Sequence, residues 1–126
     1  KQVATIQKLS FEIATEQDFT EQIQKADIVF FVGGKTVKLL DTLKHFPDLN
    51  HYLKGKIVAG ESAGANILAK YCYSPNADKS LEGLGILPIR LIPHYQEKYK
   101  GKLDDVGKEF DLILLPEYQS RVFIQE

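Results

Sequence analysis

The chain has 126 residues, of which 44% are hydrophobic and 26% charged, and its formal net charge is −1. This length and composition suit a single globular domain over residues 1–126 and exclude a disordered, repetitive or collagen-like chain. The near-neutral charge balance gives no basic field for binding nucleic acid, and no apolar run approaches the roughly 20 residues of a membrane span.

Unbroken apolar runs carry the strand signal, and most of them follow a segment with the spacing of an amphipathic helix. Apolar runs that do not alternate in polarity are typical of parallel strands covered on both faces. The alternation therefore predicts an α/β fold with a mainly parallel sheet and helices on both faces. In chain order, the predicted elements are a weak strand at 10–14, a helix at 16–25, a strand at 28–32, a helix at 37–46, a strand at 57–59, a helix after 62, a short strand at 90–92, a helix at 103–110, a strand at 112–115 and, after a turn, a further strand ending at 125.

The single cysteine, Cys72, excludes an internal disulfide framework and a multi-cysteine metal site, and it favours a reducing, cytoplasmic location. Cys72 follows Ala65, Leu68 and Ala69 at helical spacing, which predicts a buried and chemically inert thiol on the helix after Ser62. The sequence has no methionine, so we expect it to start downstream of the natural initiator or after processing.

A turn of the form glycine-x-serine-x-glycine occupies Gly60 to Gly64, between the predicted strand at 57–59 and a helical segment. A nucleophile on such a turn sits in strained backbone, and small flanking residues avoid steric clash where the chain reverses. The helix that follows would direct backbone N–H groups at the Ser62 oxygen and at an oxyanion forming beside it. The alternative is a glycine-rich turn whose serine only caps the helix. The strand–turn–helix context favours Ser62 as a nucleophile.

A serine nucleophile needs a base, and the chain has three histidines. His45 and His51 lie in or just after the helical stretch before Ser62, where solvated surface histidines are expected. His94 follows an apolar run at the carboxyl end of a predicted strand, the edge of a parallel sheet at which reactive groups gather. Glu117 follows the last apolar run in the same way. The chain therefore offers a serine–histidine–acid order of Ser62, His94 and Glu117.

A second glycine-containing turn, Gly33-Gly34-Lys35-Thr36, follows the predicted strand at 28–32. The tripeptide Gly-Lys-Thr suggests a phosphate-binding loop, but Val29 stands where that loop needs its first glycine, so the spacing excludes it. The backbone N–H groups of this turn could complete an oxyanion hole with that of Ala63. A simple strand-to-helix turn fits these residues equally well.

Taken together, four segments resemble the dipeptidase E and cyanophycinase family of serine peptidases, in the family's order and at similar intervals. The resemblance implies a flavodoxin-like three-layer sandwich related to class I glutamine amidotransferases, with serine in place of their cysteine. Carried over residue by residue, it implies that Ser62 is the nucleophile, His94 the base and Glu117 the acid. It also implies that Gly34 and Ala63 donate to the oxyanion. The four segments are Ala26 to Thr36, Gly60 to Asn66, Leu84 to Tyr95 and Leu114 to Glu117.

The chain departs from the family pattern at three points. Lys35 stands where the family usually has asparagine, beside the implied oxyanion hole. The stretch after His94 carries lysines and no arginine, unlike the arginine-bearing stretch of aspartate-specific dipeptidases, so no strong acidic preference is expected. The family's first strand and its glycine-containing loop are absent and the last hairpin is cut short, so we expect a partial family domain.

The leading hypothesis is a cytosolic serine peptidase that hydrolyses short peptides through Ser62, His94, Glu117 and an acyl-enzyme. No metal or organic cofactor is expected, because the histidines do not cluster with carboxylates at ligand spacing. The expected partner is a short peptide, not nucleic acid or a membrane. The sequence leaves open whether the chain forms a homo-oligomer. One alternative is an α/β-hydrolase-type esterase, which would need an acid after a strand between Ser62 and His94. The other is a non-catalytic binding module in which Lys35 fills the oxyanion site.

Overall fold

The computed structural model describes residues 9–124, within which strands and helices alternate along most of the chain. In this part of the chain, no helix is both long and apolar enough to cross a bilayer. The strands are β1 (Ile28–Phe31), β2 (Ile57–Gly60), β3 (Ala69–Ser74), β4 (Lys79–Glu82), β5 (Leu87–Pro93) and β6 (Asp111–Leu115). The helices are α1 (Phe19–Lys25), α2 (Thr36–Leu43), α3 (Leu49–Tyr52) and α4 (Ala63–Leu68), and a short 3₁₀ helix spans Glu97–Tyr99.

The described strands form two open sheets in which most pairs are parallel. β1 pairs with β2 in one sheet, and the other sheet has the order β4–β3–β5–β6. The pairs β1–β2, β3–β5 and β5–β6 are parallel, whereas β3 and β4 form an antiparallel hairpin. The predicted α/β class with mainly parallel strands is confirmed, and the arrangement is consistent with a flavodoxin-like three-layer sandwich.

One face of the β1–β2 sheet carries an apolar core built with helices α1, α2 and α3. Phe31 of β1 packs there against buried side chains that include Ile67 of α4, which ties the first sheet to the helix after Ser62. Ile28 and Phe30 alternate with these core residues and are 45% and 55% exposed. The described residues therefore cover one face of this sheet, whereas the sequence predicted helices on both.

Helix α4 is shorter than the sequence predicted. It ends at Leu68, and the chain continues directly into β3 at Ala69. Cys72 consequently lies on a strand and not on a helix, although its side chain is fully buried as predicted. The aromatic residues Tyr71 and Tyr73 favour a strand here, and pairing with β4 on one side and β5 on the other stabilises it. The spacing of apolar residues within one segment does not indicate such pairing with other segments of the chain.

The helix predicted at 103–110 is absent, and the segment forms a series of turns. Gly101 and Gly107 adopt φ angles of +83° and +57°, a left-handed conformation that interrupts a helix. Phe110 N–H donates to the Gly107 carbonyl at 2.8 Å, a bond between residues three apart, as in a turn. The apolar spacing still serves burial, because Leu103 is 1% exposed.

Several other boundaries differ from the prediction. Residues 10–14 and 116–124 are irregular and not strands, and residue 125, where the last predicted strand ended, lies outside the described residues. The helix predicted at 37–46 is α2, which ends earlier, at Leu43, and the short helix α3 that follows it was not predicted. The strand predicted at 90–92 is extended to the full length of β5.

Candidate active site

Ser62 lies on a sharp turn between β2 and α4, in strained backbone. Its φ and ψ angles are 55° and −116°, a region that residues with a side chain rarely adopt. Ser62 is the N-cap residue of α4, yet its side chain makes no capping hydrogen bond within the described structure. The hydroxyl is therefore not used to cap the helix, which was the alternative interpretation of this turn.

The two glycines of the turn are required by close approach of the backbone. A Cβ atom added at Gly64 would collide with the Phe31 carbonyl group, 2.5 Å from its carbon. A Cβ atom added at Gly60 would lie 2.5 Å from the Gly64 carbonyl oxygen. Both separations are far below van der Waals contact, so a larger residue at either position would force α4 away from β1 and β2.

His94 and Glu117 are brought together by the parallel pairing of β5 and β6. Pro93 and Leu115 are register partners at the ends of these strands, and Tyr95 N–H donates to the Leu115 carbonyl at 3.1 Å. His94 and Glu117 therefore leave the sheet side by side, and His94 Nδ1 pairs with Glu117 Oε1. A carboxylate only accepts hydrogen bonds, so in a bond between the carboxylate and the neutral imidazole Nδ1 is the donor and Nε2 is left as the acceptor.

A cleft of about 210 Å³ joins the carboxyl ends of β2 and β5. It brings together Gly34, Ser62 and His94, three of the residues singled out in the sequence. Ala63 follows Ser62 as the first residue of α4, where a backbone N–H has no acceptor within its own helix. Glu117 joins the group through His94. The cleft is lined by Gly34, Thr36, Ser62, Asn66, Ser74, Pro75, Asn76, Pro93, His94 and Tyr99.

Left-handed backbone at residues with a side chain is concentrated around this cleft. Ser62, His94 and Tyr118 have φ angles of 55°, 52° and 64°, and Tyr118 directly follows Glu117. Asp78 has a φ of 50° in the β3–β4 turn, close in sequence to cleft residues Ser74 and Asn76. Strained backbone of this kind persists where the surrounding structure holds it, and it clusters at functional sites.

The double glycine after β1 faces Ser62. A Cβ atom added at Gly33 would lie 3.3 Å from Ser62 Cβ, so the backbone there runs directly against the serine side chain. Gly34 has a φ of +147°, which favours glycine, and it lines the cleft. Lys35 is exposed and, in the described structure, lies outside the set of residues that line the cleft.

The other reactive side chains lie elsewhere. His45 lines a separate shallow cleft with Glu16 and Phe46, and the His51 ring packs at 5.9 Å from that of Tyr52. Burial raises the pKa of the Cys72 thiol to about 12, so its thiolate is not available at neutral pH. Among residues 9–124, no cluster of three or more histidine, cysteine, aspartate or glutamate side chains is arranged to hold a metal ion.

Several cleft residues carry no role in the sequence-based prediction. Thr36 and Asn66 fall inside the two quoted motifs, and their position after each turn is a signal that could have identified them. Ser74 ends β3, Asn76 lies in the β3–β4 turn and Tyr99 ends the 3₁₀ helix. No local pattern indicates these three, because only the folded chain brings them opposite Ser62.

Comparison with known proteins finds a family of peptidases. The model of peptidase family S51 matches residues 1–116. A peptidase E of Shewanella amazonensis is 33% identical over 90 residues, covering 64% of this chain and 38% of that protein. Uncharacterized peptidases of Listeria monocytogenes and Pasteurella multocida are each 30% identical, covering 67% and 75% of this chain and 48% and 52% of those proteins. The chain thus spans about half the length of these relatives or less. No solved structure gives a significant match.

Proposed function

The chain belongs to peptidase family S51, and from that premise we propose that it is a serine peptidase that hydrolyses short peptides through an acyl-enzyme. Ser62 is the nucleophile, His94 is the general base and acid, and Glu117 orients His94. One observation carries the proposal. Ser62, in left-handed backbone at the end of β2, lines the same cleft as His94, whose imidazole pairs with Glu117.

Acylation follows from the arrangement of these groups. Ser62 Oγ attacks the carbonyl carbon of the scissile peptide bond while His94 Nε2 takes the hydroxyl proton. Glu117, bound to Nδ1, holds the ring in the required tautomer and stabilises its positive charge. The carbonyl oxygen becomes an oxyanion, which the N–H groups of Gly34 and Ala63 bind. When the tetrahedral intermediate collapses, His94 gives its proton to the leaving amine and the acyl group stays on Ser62.

Deacylation uses the same residues in the reverse order. His94 Nε2 removes a proton from a water molecule, which attacks the acyl carbon and forms a second oxyanion in the same site. Collapse of this intermediate breaks the bond to Ser62 Oγ, and His94 returns the proton to that oxygen. The products are a carboxylic acid and an amine, so the reaction consumes one water molecule and needs no other reactant.

The geometry favours this mechanism over the two alternatives. In an α/β-hydrolase-type esterase the acid would lie between Ser62 and His94 in the chain. The two acidic residues there are engaged elsewhere, since Asp78 accepts a hydrogen bond from the Tyr73 hydroxyl at 2.6 Å and Glu82 accepts one from Lys70 Nζ. In a non-catalytic module Lys35 would occupy the oxyanion site, but its side chain is exposed and Gly34 lines the cleft.

A fluorophosphonate probe tests the proposal directly. We expect the probe to label the protein at Ser62, which displaces fluoride from phosphorus, and we expect Ser62→Ala to abolish labelling. Ser80→Ala is the matched control, because Ser80 is an exposed serine on β4, and it should label like the wild type. Intact-mass and peptide mass spectrometry give the readout. A folded wild-type protein that is not labelled, or labelling that survives Ser62→Ala, would contradict the proposal.

We also expect no strong preference for an acidic residue before the scissile bond. Among the described residues that line the cleft there is no lysine or arginine. Arg90 is engaged elsewhere, since its Nε and Nη1 atoms donate to the carbonyl oxygens of Phe110 and Leu103 at 2.9 and 3.1 Å. Lys98, whose Nζ lies 5.4 Å from the ring centroid of the cleft residue Tyr99, supplies only a mobile and exposed charge.

Peptides with aspartate, asparagine or leucine before the scissile bond, assayed at low and high salt, measure this preference. Any advantage of aspartate should shrink at high salt, because exposed charges are screened over roughly 8 Å at physiological ionic strength. An aspartate preference above about a hundredfold, or ~2.7 kcal/mol of transition-state discrimination, that persists at high salt would contradict the prediction. Arg121, the other arginine and an exposed one, would then be the first residue to replace.

A further inference from the structure

A buried hydrogen bond joins the helices that follow the two glycine turns of the site. Asn66 Nδ2, in α4, donates to Thr36 Oγ1, at the start of α2, at a distance of 3.0 Å. The two residues are 3% and 5% exposed, so the bond is largely shielded from solvent. Both residues also line the cleft that contains Ser62.

This bond connects the two backbone segments that carry the oxyanion donors. Gly34 lies two residues before Thr36, and Ala63 lies three residues before Asn66. The Asn66 backbone N–H donates to the Ser62 carbonyl at 2.9 Å, so the same residue also holds the turn that presents Ser62. Through its backbone and its side chain, Asn66 therefore links the turn that carries Ser62 to the helix that follows the glycine turn after β1.

The same bond fixes the orientation of the Asn66 carboxamide. Its Nδ2 atom donates to Thr36 Oγ1, whereas the buried Oδ1 atom accepts no hydrogen bond from the described residues. Apolar residues of the same shape at both positions would be close to neutral for stability, so the bond can be removed without unfolding the chain. Its contribution is therefore sought in the geometry that it imposes.

We propose that Asn66 and Thr36 are positioning residues, which hold the Gly34 and Ala63 N–H groups at the separation that the oxyanion requires. This inference rests on the proposed function. A misplacement of about 1 Å in a catalytic group can cost on the order of a hundredfold in rate. The oxyanion exists only in the transition state and the intermediate, so loss of the bond should lower kcat and leave KM nearly unchanged.

Substitutions that keep the side-chain shape test this assignment. Thr36→Val removes the acceptor hydroxyl, and Thr36→Val combined with Asn66→Leu replaces both partners with apolar groups of similar volume. We expect kcat to fall about tenfold or more in both variants, with KM within about threefold of the wild type. Thr36→Ser, which keeps the hydroxyl, should retain most of the wild-type kcat. Thr42→Val is the matched control, because Thr42 on the same helix bonds to the Lys38 carbonyl and not to α4.

Affinity for a peptide aldehyde and the melting temperature separate positioning from a purely structural role. Ser62 Oγ adds to the aldehyde carbon and creates a hemiacetal oxygen in the oxyanion site, so its affinity should fall in parallel with kcat. The double apolar variant should melt near the wild-type temperature and still be slow.

A double variant with wild-type kcat would overturn the inference. So would a loss of kcat that follows the melting temperature and is not rescued by Thr36→Ser. If the wild-type protein neither turns over peptides nor labels at Ser62, the proposed function fails first, and this inference fails with it.

Discussion

Replacing His94 with alanine is expected to lower kcat by about a thousandfold or more, because Ser62 then has no base to take its proton. The residue pairs with Glu117 and lines the cleft with Ser62, so no neighbouring histidine can take over its role. Steady-state turnover of a peptide substrate measures the loss, and circular dichroism checks that the variant is folded.

His45→Ala and His51→Ala are the matched controls for this prediction. His45 lies against Glu16 and Phe46, and His51 packs on Tyr52, so neither ring borders the cleft of Ser62 in the described structure. Both variants should retain kcat within a few fold of the wild type. A loss at either position comparable to that of His94→Ala would show that the base has been wrongly assigned.

Replacing Gly64 with alanine is expected to destabilise the fold by about 3 kcal/mol, at the upper end of what overpacking usually costs. The added Cβ atom would collide with the backbone carbonyl of Phe31, and backbone atoms of a strand held by pairing with β2 cannot move aside as a flexible side chain can. Relief of the clash would push α4 from β1 and displace Ser62. Urea unfolding followed by circular dichroism measures the change in the free energy of unfolding.

Gly55→Ala is the control for this substitution. Gly55 has a φ of +77° but no atom within 4 Å of an added Cβ, so its replacement brings backbone strain without a collision. We expect a smaller loss, of about 1 kcal/mol. Equal destabilisation by the two variants would mean that general loss of glycine, and not the contact between α4 and β1, sets the cost.

The sequence by itself identified the elements whose signals are local. The apolar runs that became β1, β2 and β6 are unbroken stretches bounded by glycine, proline or charged residues, and such a stretch is a local signal for a strand. The sequence also indicated the turn around Ser62, because its glycines are required where the chain reverses from β2 into α4. These motifs also indicated the family that the comparison with known proteins confirmed.

Where local spacing and long-range pairing compete, the pairing decided the structure. The helical pattern around Cys72 continues past Leu68, but hydrogen bonds to β4 and β5 convert Ala69–Ser74 into a strand. The pattern at 103–110 is also helical, yet the left-handed Gly107 interrupts it and the segment forms turns. Periodicity describes which residues are buried, and it does not distinguish the backbone conformations that bury them.

Only the tertiary structure decided how the candidate site is assembled. The proximity of His94 and Glu117 depends on the parallel register of β5 and β6, and that of Ser62 and His94 on a cleft between two sheets. The bond between Thr36 and Asn66 joins residues 30 positions apart. The sequence by itself determined which residues could act, since each candidate lies at a turn or a strand end with its own local signal. Contacts between distant segments have no such signal, because they form only when the packing of whole elements has set the positions of their ends.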